Sequence, residues 1–460
     1  MGKYRIYLSL IFAGLIMFSG CNEGSRKSTI SGNCDLTYLP KPKSDVITAN
    51  PQNTKETCPE VFTIDCLGED IKNELTGIID DLEIKHPMIV INQQEVAIVK
   101  NRIKNKIEPQ YSAYLDLMEN AQEALSFEPN APDTIEIQGG YYYDPAKKDQ
   151  AYVVAGGYLS TSNAPQVKAL LGAESYNAYT CALAYTYSGE DKYADKTIEI
   201  LMDWADKNTT FTGGDRGLKL GNFSPLGYAA DFIYDYEGWD KQDRQKFLDW
   251  WEQQVHVHTY EVVKRKDNNW KDAGMIGLFT SAVLLEDKEL LLDGVSELRS
   301  YFVKRYDKGV RRTDGYWKIQ TDGNCTYLPR EVRKRKMKGD RGVTYTQYAL
   351  TSMVQIFEAG RYAGCDFWDL KTDQGVGLEE LINDFFGWQF ELDKFPFNDN
   401  PVRFYKRYNT FELAKNNLNV REEMKDWLSK NRPVSGGDGD VYITLNKGDL
   451  YRGDPVRKRK

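Results

Sequence analysis

The amino-acid sequence predicts an all-α protein built from antiparallel helix pairs. Three observations carry that expectation. Apolar residues recur at i, i+3, i+4 and i+7 in one segment after another. Short turns containing Gly or acidic residues separate those segments. Strand patterns are scarce, the best being DVYITL at 440–445. The chain has 460 residues and is 41% hydrophobic, enough for a sizeable core, so wholesale disorder is excluded. A single compact bundle of this length would be too thick for one core. Amphipathic helices need neighbours to bury their stripes, so the pairs should stack as a solenoid or as a closed ring.

Taken in order, residues 1–20 read as a signal peptide. MGKYR carries two positive charges, and the apolar run from 6 to 18 is too short to span a bilayer. FSGC follows, and small residues before Cys21 look like a bacterial lipoprotein box. That likeness implies cleavage before Cys21, lipidation of its thiol and a lipid-anchored place in the cell envelope. Loss of Lys3 and Arg5 would move the formal charge from -8 to -10. Residues 21–85 are rich in Ser, Thr, Asn, Lys and Pro and read as a polar tether. Residues 86–435 hold the helical domain, and 436–460 form a C-terminal extension ending in a solvated basic RKRK.

Within the helical domain, residues 93–125 have helical period. Ala178, Cys181, Ala182 and Tyr185 form the next stripe, SGEDK breaks it, and Ile198, Leu201, Met202 and Ala205 resume it. Leu226, Ala229, Ala230 and Ile233 make another, and residues 243–255 and 274–285 are helical again. Leu350, Met353, Val354 and Phe357 complete the set.

Composition narrows the chemistry. Only three His are present (His86, His256 and His258), which argues against a multi-His metal site. No CxxC spacing occurs among Cys34, Cys58, Cys66, Cys181, Cys325 and Cys365, so zinc or dithiol redox chemistry has little support. Tyr is abundant, 30 against 19 Phe and 9 Trp, and suits amphipathic grooves where a ring packs and a hydroxyl stays wet.

Two basic stretches depart from the acidic background. One is KRKDNNWK at 264–271. The other spans 330–341, with seven Lys or Arg against Glu331 and Asp340. Concentrated positive charge in a net-acidic protein suggests an anionic ligand. A solvated charged loop is the plainer explanation. For an exported, lipid-anchored chain, an anionic polysaccharide fits better than nucleic acid.

Tyr345 follows the second stretch, off the stripe of Leu350, Met353 and Val354. Neighbouring cations and a helix start both favour its phenolate form, although in a chain with this many Tyr most are packing residues. Asn268 and Asn269 before Trp270 offer amides for a carboxylate and a platform for a sugar, or simply a turn and a cap.

These segments resemble the alginate lyase family of polysaccharide lyases and, more distantly, heparinase-like helical lyases. The likeness runs from about His86 to about Leu413. It rests on HPMIVINQQEVAIVKNRI, LAYTYSGEDKYADKTIEILMDWA, the Asp322-Gly323 pair, RGVTYTQYAL and AGCDFW, in that order. The resemblance implies an (α/α) toroid, complete or open, with a groove for an anionic sugar, and chemistry that needs neither metal nor cofactor. It assigns Tyr345 as catalytic base and acid, and Asn269 and Arg341 to neutralising the substrate carboxylate. Asn268, Trp270 and Lys338 are substrate-binding, Lys338 standing where an Arg is usual. Trp270 stands where the family usually has a His after the second Asn. Either His256 or His258 then supplies that function from a neighbouring turn, or Asn269 works without it.

The expected reaction is β-elimination on a uronic-acid polymer, alginate or a similar polyuronate. Two other classes compete. A glycoside hydrolase on a helical ring would need two placed carboxylates, with Asp231, Asp235 and Asp322 available. A non-catalytic, lipid-anchored glycan-binding protein would bind polyuronates without turnover.

Overall fold

A computed structural model of the chain describes residues 67–137, 152–154, 157–159, 165–213, 216–221, 223–266, 269–303, 340–371, 377–387, 389–391, 409–434 and 440–452. For 152–154, 157–159, 165–169, 269, 340–346 and 409 the description covers backbone only. In chain order the elements are α1 (Glu69–Asp80), α2 (Gln93–Lys104), α3 (Gln110–Ala124), β1 (Thr134–Glu136), β2 (Tyr152–Val154), β3 (Gly157–Leu159), α4 (Pro165–Ser188) and α5 (Asp191–Lys207). There follow β4 (Thr210–Thr212), α6 (Arg216–Gly221), α7 (Ser224–Phe232), α8 (Lys241–Trp251), a π turn (Glu252–His256), α9 (Val257–Arg265), α10 (Asn269–Leu284) and α11 (Lys288–Tyr301). The last are α12 (Asp340–Tyr362), α13 (Leu378–Gly387), α14 (Asn409–Asn417), α15 (Glu422–Asn431) and α16 (Ile443–Lys447).

The expected stripes become helices. Ala178, Cys181 and Ala182 are fully buried in α4, with Tyr185 at their edge. SGEDK ends that helix because Gly189 adopts φ +77°, a left-handed conformation suited to Gly. On α5 the buried line is Tyr193, Ala194, Thr197, Ile200, Leu201 and Trp204, shifted round the helix from the expected stripe, so Ile198, Met202 and Ala205 flank it. Every residue of α7 is buried, and Leu350, Met353, Val354 and Phe357 of α12 are closed to solvent.

Neighbouring inner helices form a circuit. α3 packs on α4, α4 on α7, α7 on α10, α10 on α12, α12 on α14, α14 on α16, and α16 returns to α3. Outside this circuit α5 lies on α4, α9 and α11 on α10, α13 on α12, and α15 on α14. This is the (α/α) toroid that the resemblance implies. The strands are minor: β1 pairs in parallel with β4, and β2 antiparallel with β3.

Two expectations are corrected. DVYITL is no strand. Asp440, fully enclosed, accepts hydrogen bonds from Tyr442 N at 2.8 Å, Tyr179 Oη at 2.9 Å and Asn446 Nδ2 at 3.0 Å, and these bonds wind the segment into α16. Asp440, Ile443 to Lys447 and Leu450 are thus buried in the toroid core and not an appendage. The tether also ends earlier than expected: α1 buries Leu75 and Ile79 and packs on α11. The rest of the tether, with Cys21, Cys34, Cys58 and Cys66, lies outside the described residues, as does Cys325. Cys181 and Cys365 are buried free thiols. No helix among the described residues is long and apolar enough to cross a membrane.

The His-Pro segment is pinned to the ring by Asp231. That carboxylate accepts bonds from Met88 N (2.8 Å) and Ile89 N (2.9 Å), and His86 Nδ1 lies 2.6 Å from its other oxygen. His86 also stacks on Tyr234 with centroids 3.7 Å apart. Burial works to lower the His86 pKa, but the hydrogen bond and charge of Asp231, with Glu286 and Asp235, outweigh it and raise it. On α4, burial pushes the Glu174 carboxyl up to about 7, against a bond from Asn130 N at 2.9 Å.

Both groups bind protons more tightly folded than unfolded. Their contributions are full below the unfolded values and are lost as pH rises through the folded ones. The protein should therefore lose stability as pH climbs through about 7. Glu174→Gln, which mimics the protonated acid, should flatten that decline in denaturant titrations at several pH values. An unchanged slope in the variant would remove Glu174 as its source.

Candidate active site

Two inner helices meet beside the short α6. Leu218 of α6, Ala273 of α10 and Tyr348 of α12 form one buried cluster, and Trp270 packs against it. α6 fits here because two glycines admit close backbone approach. A Cβ on Gly217 would lie 2.3 Å from the His258 carbonyl oxygen, and one on Gly221 would lie 2.9 Å from that of Ala273.

Asn269 is the first residue of α10, directly before Trp270. Arg341 and Tyr345 lie in the first turns of α12, which begins at Asp340. Their i, i+4 spacing makes them neighbours along the helix. Position 345 stands one turn before Tyr348, which packs with Ala273 and Trp270 where α10 meets α12, and Arg341 lies a further turn back along α12. For Asn269, Arg341 and Tyr345 the described structure is the backbone. Asn268, Lys338 and Asp322 lie outside the described residues.

The two His diverge, because residues two apart on a helix point to different sides. His256, in the π turn, stacks on Tyr260 with centroids 5.4 Å apart, and Tyr260 Oη donates to Asp293 of α11 at 3.1 Å. Burial lowers the His256 pKa. His258 instead faces α6, where Arg216 Nε donates to its Nδ1 at 3.0 Å. Arg216 also bonds Glu261, which pairs with Arg265 at 2.7 Å. Burial, with the Arg216 charge, lowers the His258 pKa. A neutral His258 that accepts at Nδ1 carries its proton on Nε2, so its free nitrogen is a donor and not a base. Of the two, His258 sits on the α6 side that carries Leu218, whereas His256 faces α11.

Asp231 is fully buried and holds two backbone amides and His86, so the carboxylate offered for hydrolysis serves the scaffold. A cavity of about 30 Å³ lies among Tyr228, Ile276, Phe279, Glu358, Asp440 and Lys447. It sits two turns further along α10 than Asn269 and is too small for a sugar ring, so it is no part of the candidate site.

Sequence reasoning did not single out Arg216 or Tyr348, and gave Lys266 only as part of the basic stretch at 264–271. Lys266 is extended and lies outside both helices, so helical period does not set its contact with Trp270. The convergence of Arg216 on His258 is a contact 42 residues apart in the chain, and helical period does not report it.

The alginate lyase family model matches residues 121–388, a span that includes the α10 and α12 junction. Among solved structures, the fold is similar to alginate lyase A1-III from Sphingomonas species A1, at 14% identity and TM-score 0.53, covering 79% of this chain and 99% of that one. A His-to-Ala variant of alginate lyase A1-III complexed with a tetrasaccharide is similar at 13% identity and TM-score 0.56, covering 80% and 98%. An alginate lyase from Bacteroides ovatus is similar at 17% identity and TM-score 0.52, covering 82% and 98%. No curated protein sequence matches the chain. These solved structures bear on the fold, a helical toroid. The family model spans more than half of the sequence, and on that ground the chain belongs to the alginate lyase family of polysaccharide lyases.

Proposed function

We propose that the protein cleaves alginate or a similar polyuronate by β-elimination at the junction of α10 and α12. The observation that supports this reading is the packing of Trp270 against Tyr348 where α10 meets α12, within the span that the alginate lyase family model matches. Relatives of the same fold include an alginate lyase variant complexed with a tetrasaccharide.

The chemistry follows from the substrate. The C5 hydrogen of a uronate is weakly acidic because the adjacent carboxylate resists gaining further charge. Asn269, with Arg341 assisting, neutralises that carboxylate and stabilises the enolate-like state. Tyr345, as phenolate, takes the C5 proton. The C–H electron pair becomes the C4–C5 double bond, the C4–O4 bond breaks, and the departing O4 takes a proton from the Tyr345 phenol. A free phenol titrates near ~10, so Tyr345 needs a lowered pKa, and Arg341 one turn away favours the anion. His258, presenting an N–H, fits a donor role toward the substrate. Lipidation at Cys21 would hold the enzyme at the cell envelope, where extracellular polysaccharide is met.

The test is a panel of anionic polysaccharides incubated with the protein and followed in the ultraviolet for the unsaturated uronate. A rise in absorbance on alginate or another polyuronate is expected. Cleavage with saturated ends would indicate hydrolysis, and binding without cleavage would indicate a glycan-binding protein.

A further inference from the structure

The turn from α9 to α10 carries a cation in an unusual setting. Lys266, the C-cap of α9, is extended (φ -118°, ψ 152°), and its N–H donates to Val262 O at 3.0 Å. Its ammonium lies over the Trp270 ring, Nζ 5.0 Å from the centroid. Trp270 in turn packs on Leu218, Ala273 and Tyr348. Lys266 and Trp270 are both half-buried.

Other cations of this stretch are engaged elsewhere. Arg265 pairs with Glu261 at 2.7 Å, and Lys271, fully enclosed, pairs with Glu297 at 2.8 Å. Lys264 is exposed and lies over Tyr260 at 5.4 Å. Among the described residues no carboxylate lies within ion-pairing distance of Lys266. A ring face attracts an ammonium but does not neutralise it, and a partly desolvated charge without a counter-ion is unfavourable. Such a cation stands ready for an anion brought by a ligand, on the residue next to Asn269.

We propose that Lys266, steadied over Trp270, binds a carboxylate of the polyuronate chain at the start of α10. This rests on the lyase reading above. The Trp ring holds the flexible Lys stem in place, so less freedom is lost when the carboxylate arrives. Trp270, where the family resemblance would have a His, thereby supports a charge-binding group at the start of α10.

The experiment uses the full chain with alginate as probe. It compares wild type with Lys266→Met, which keeps the apolar stem, and Lys266→Arg, which keeps the charge. Lys266→Met should raise KM about tenfold at low ionic strength while kcat stays within about twofold. Lys266→Arg should stay within about threefold of wild type. The Met defect should shrink at ~0.5 M salt, where screening weakens the pairing in all variants. An unchanged KM, or a defect that neither salt nor Arg alters, overturns the proposal. If wild type binds alginate without cleaving it, the lyase reading fails, and the same tenfold ratio is read in binding affinity. If wild type neither binds nor cleaves it, both readings fall.

Discussion

Tyr345→Phe should lower kcat on a polyuronate by about 10³-fold or more while leaving the fold intact. The variant loses one oxygen atom. That oxygen is the proposed acceptor of the C5 proton and donor to O4, so both halves of the elimination lose their proton carrier. Binding is expected to survive, because Asn269, Arg341, Trp270 and Lys266 remain. Circular dichroism and the unfolding midpoint should match wild type, since the packing of this part of α12 rests on Tyr348 with Leu218, Ala273 and Trp270. Initial rates with matched KM values are the measurement. Residual activity above about a tenth of wild type would remove Tyr345 from the proton transfers.

The second large effect is structural. Lys447→Met should destabilise the protein by about 3–5 kcal/mol. Lys447, on α16, reaches Glu95 of α2 at 2.6 Å and Glu358 of α12 at 3.0 Å, and also contacts the Tyr362 hydroxyl. Arg361 completes the group, 2.6 Å from Glu95 and 2.8 Å from Glu358. Among the described residues, two cations thus meet two carboxylates inside the ring. Burial opposes the charge on Arg361, and the two glutamates outweigh it, raising its pKa. Removing Lys447 takes a buried cation away from the two carboxylates, and a buried charge that loses its partner costs more than having no charges at all. Lys447→Met combined with Glu95→Gln should therefore recover part of the loss. Denaturant midpoints for the wild type, the single and the double variant decide this. A single variant as stable as wild type would mean that the buried ion network does not hold α16 to α2 and α12.

How much of this the sequence disclosed depends on range. Local period is written in the chain: the stripes at 178–185, 226–233 and 350–357 became buried helix faces, and Gly189 marked its turn through its conformation. The stripe on α5 came out rotated because the core lies toward Tyr193 and Trp204. The misread strand at 440–445 shows a different limit. Its alternation is real, but Asp440 hydrogen-bonds forward to Tyr442 and Asn446, and those side-chain contacts override a two-residue period. The buried pairing of Lys447 with Glu95 joins positions 352 residues apart, and periodicity is blind to such pairings. At the site, the Asn and Tyr segments were found through family likeness. That Trp270 meets Tyr348 is a tertiary fact, carried also by Ala273 and Leu218. Sequence offered His256 and His258 as equals. Helix geometry separates them, placing one beside Arg216 and the other against Tyr260.

A crystal structure of Tyr345→Phe soaked with an alginate tetrasaccharide confronts the central claim most directly. It should show one uronate carboxylate held by the Asn269 amide and the Arg341 guanidinium, with C5 turned toward the ring of residue 345 and a neighbouring carboxylate near Lys266. A tetrasaccharide seated elsewhere on the toroid, or lying here with C5 turned away from residue 345, would contradict it.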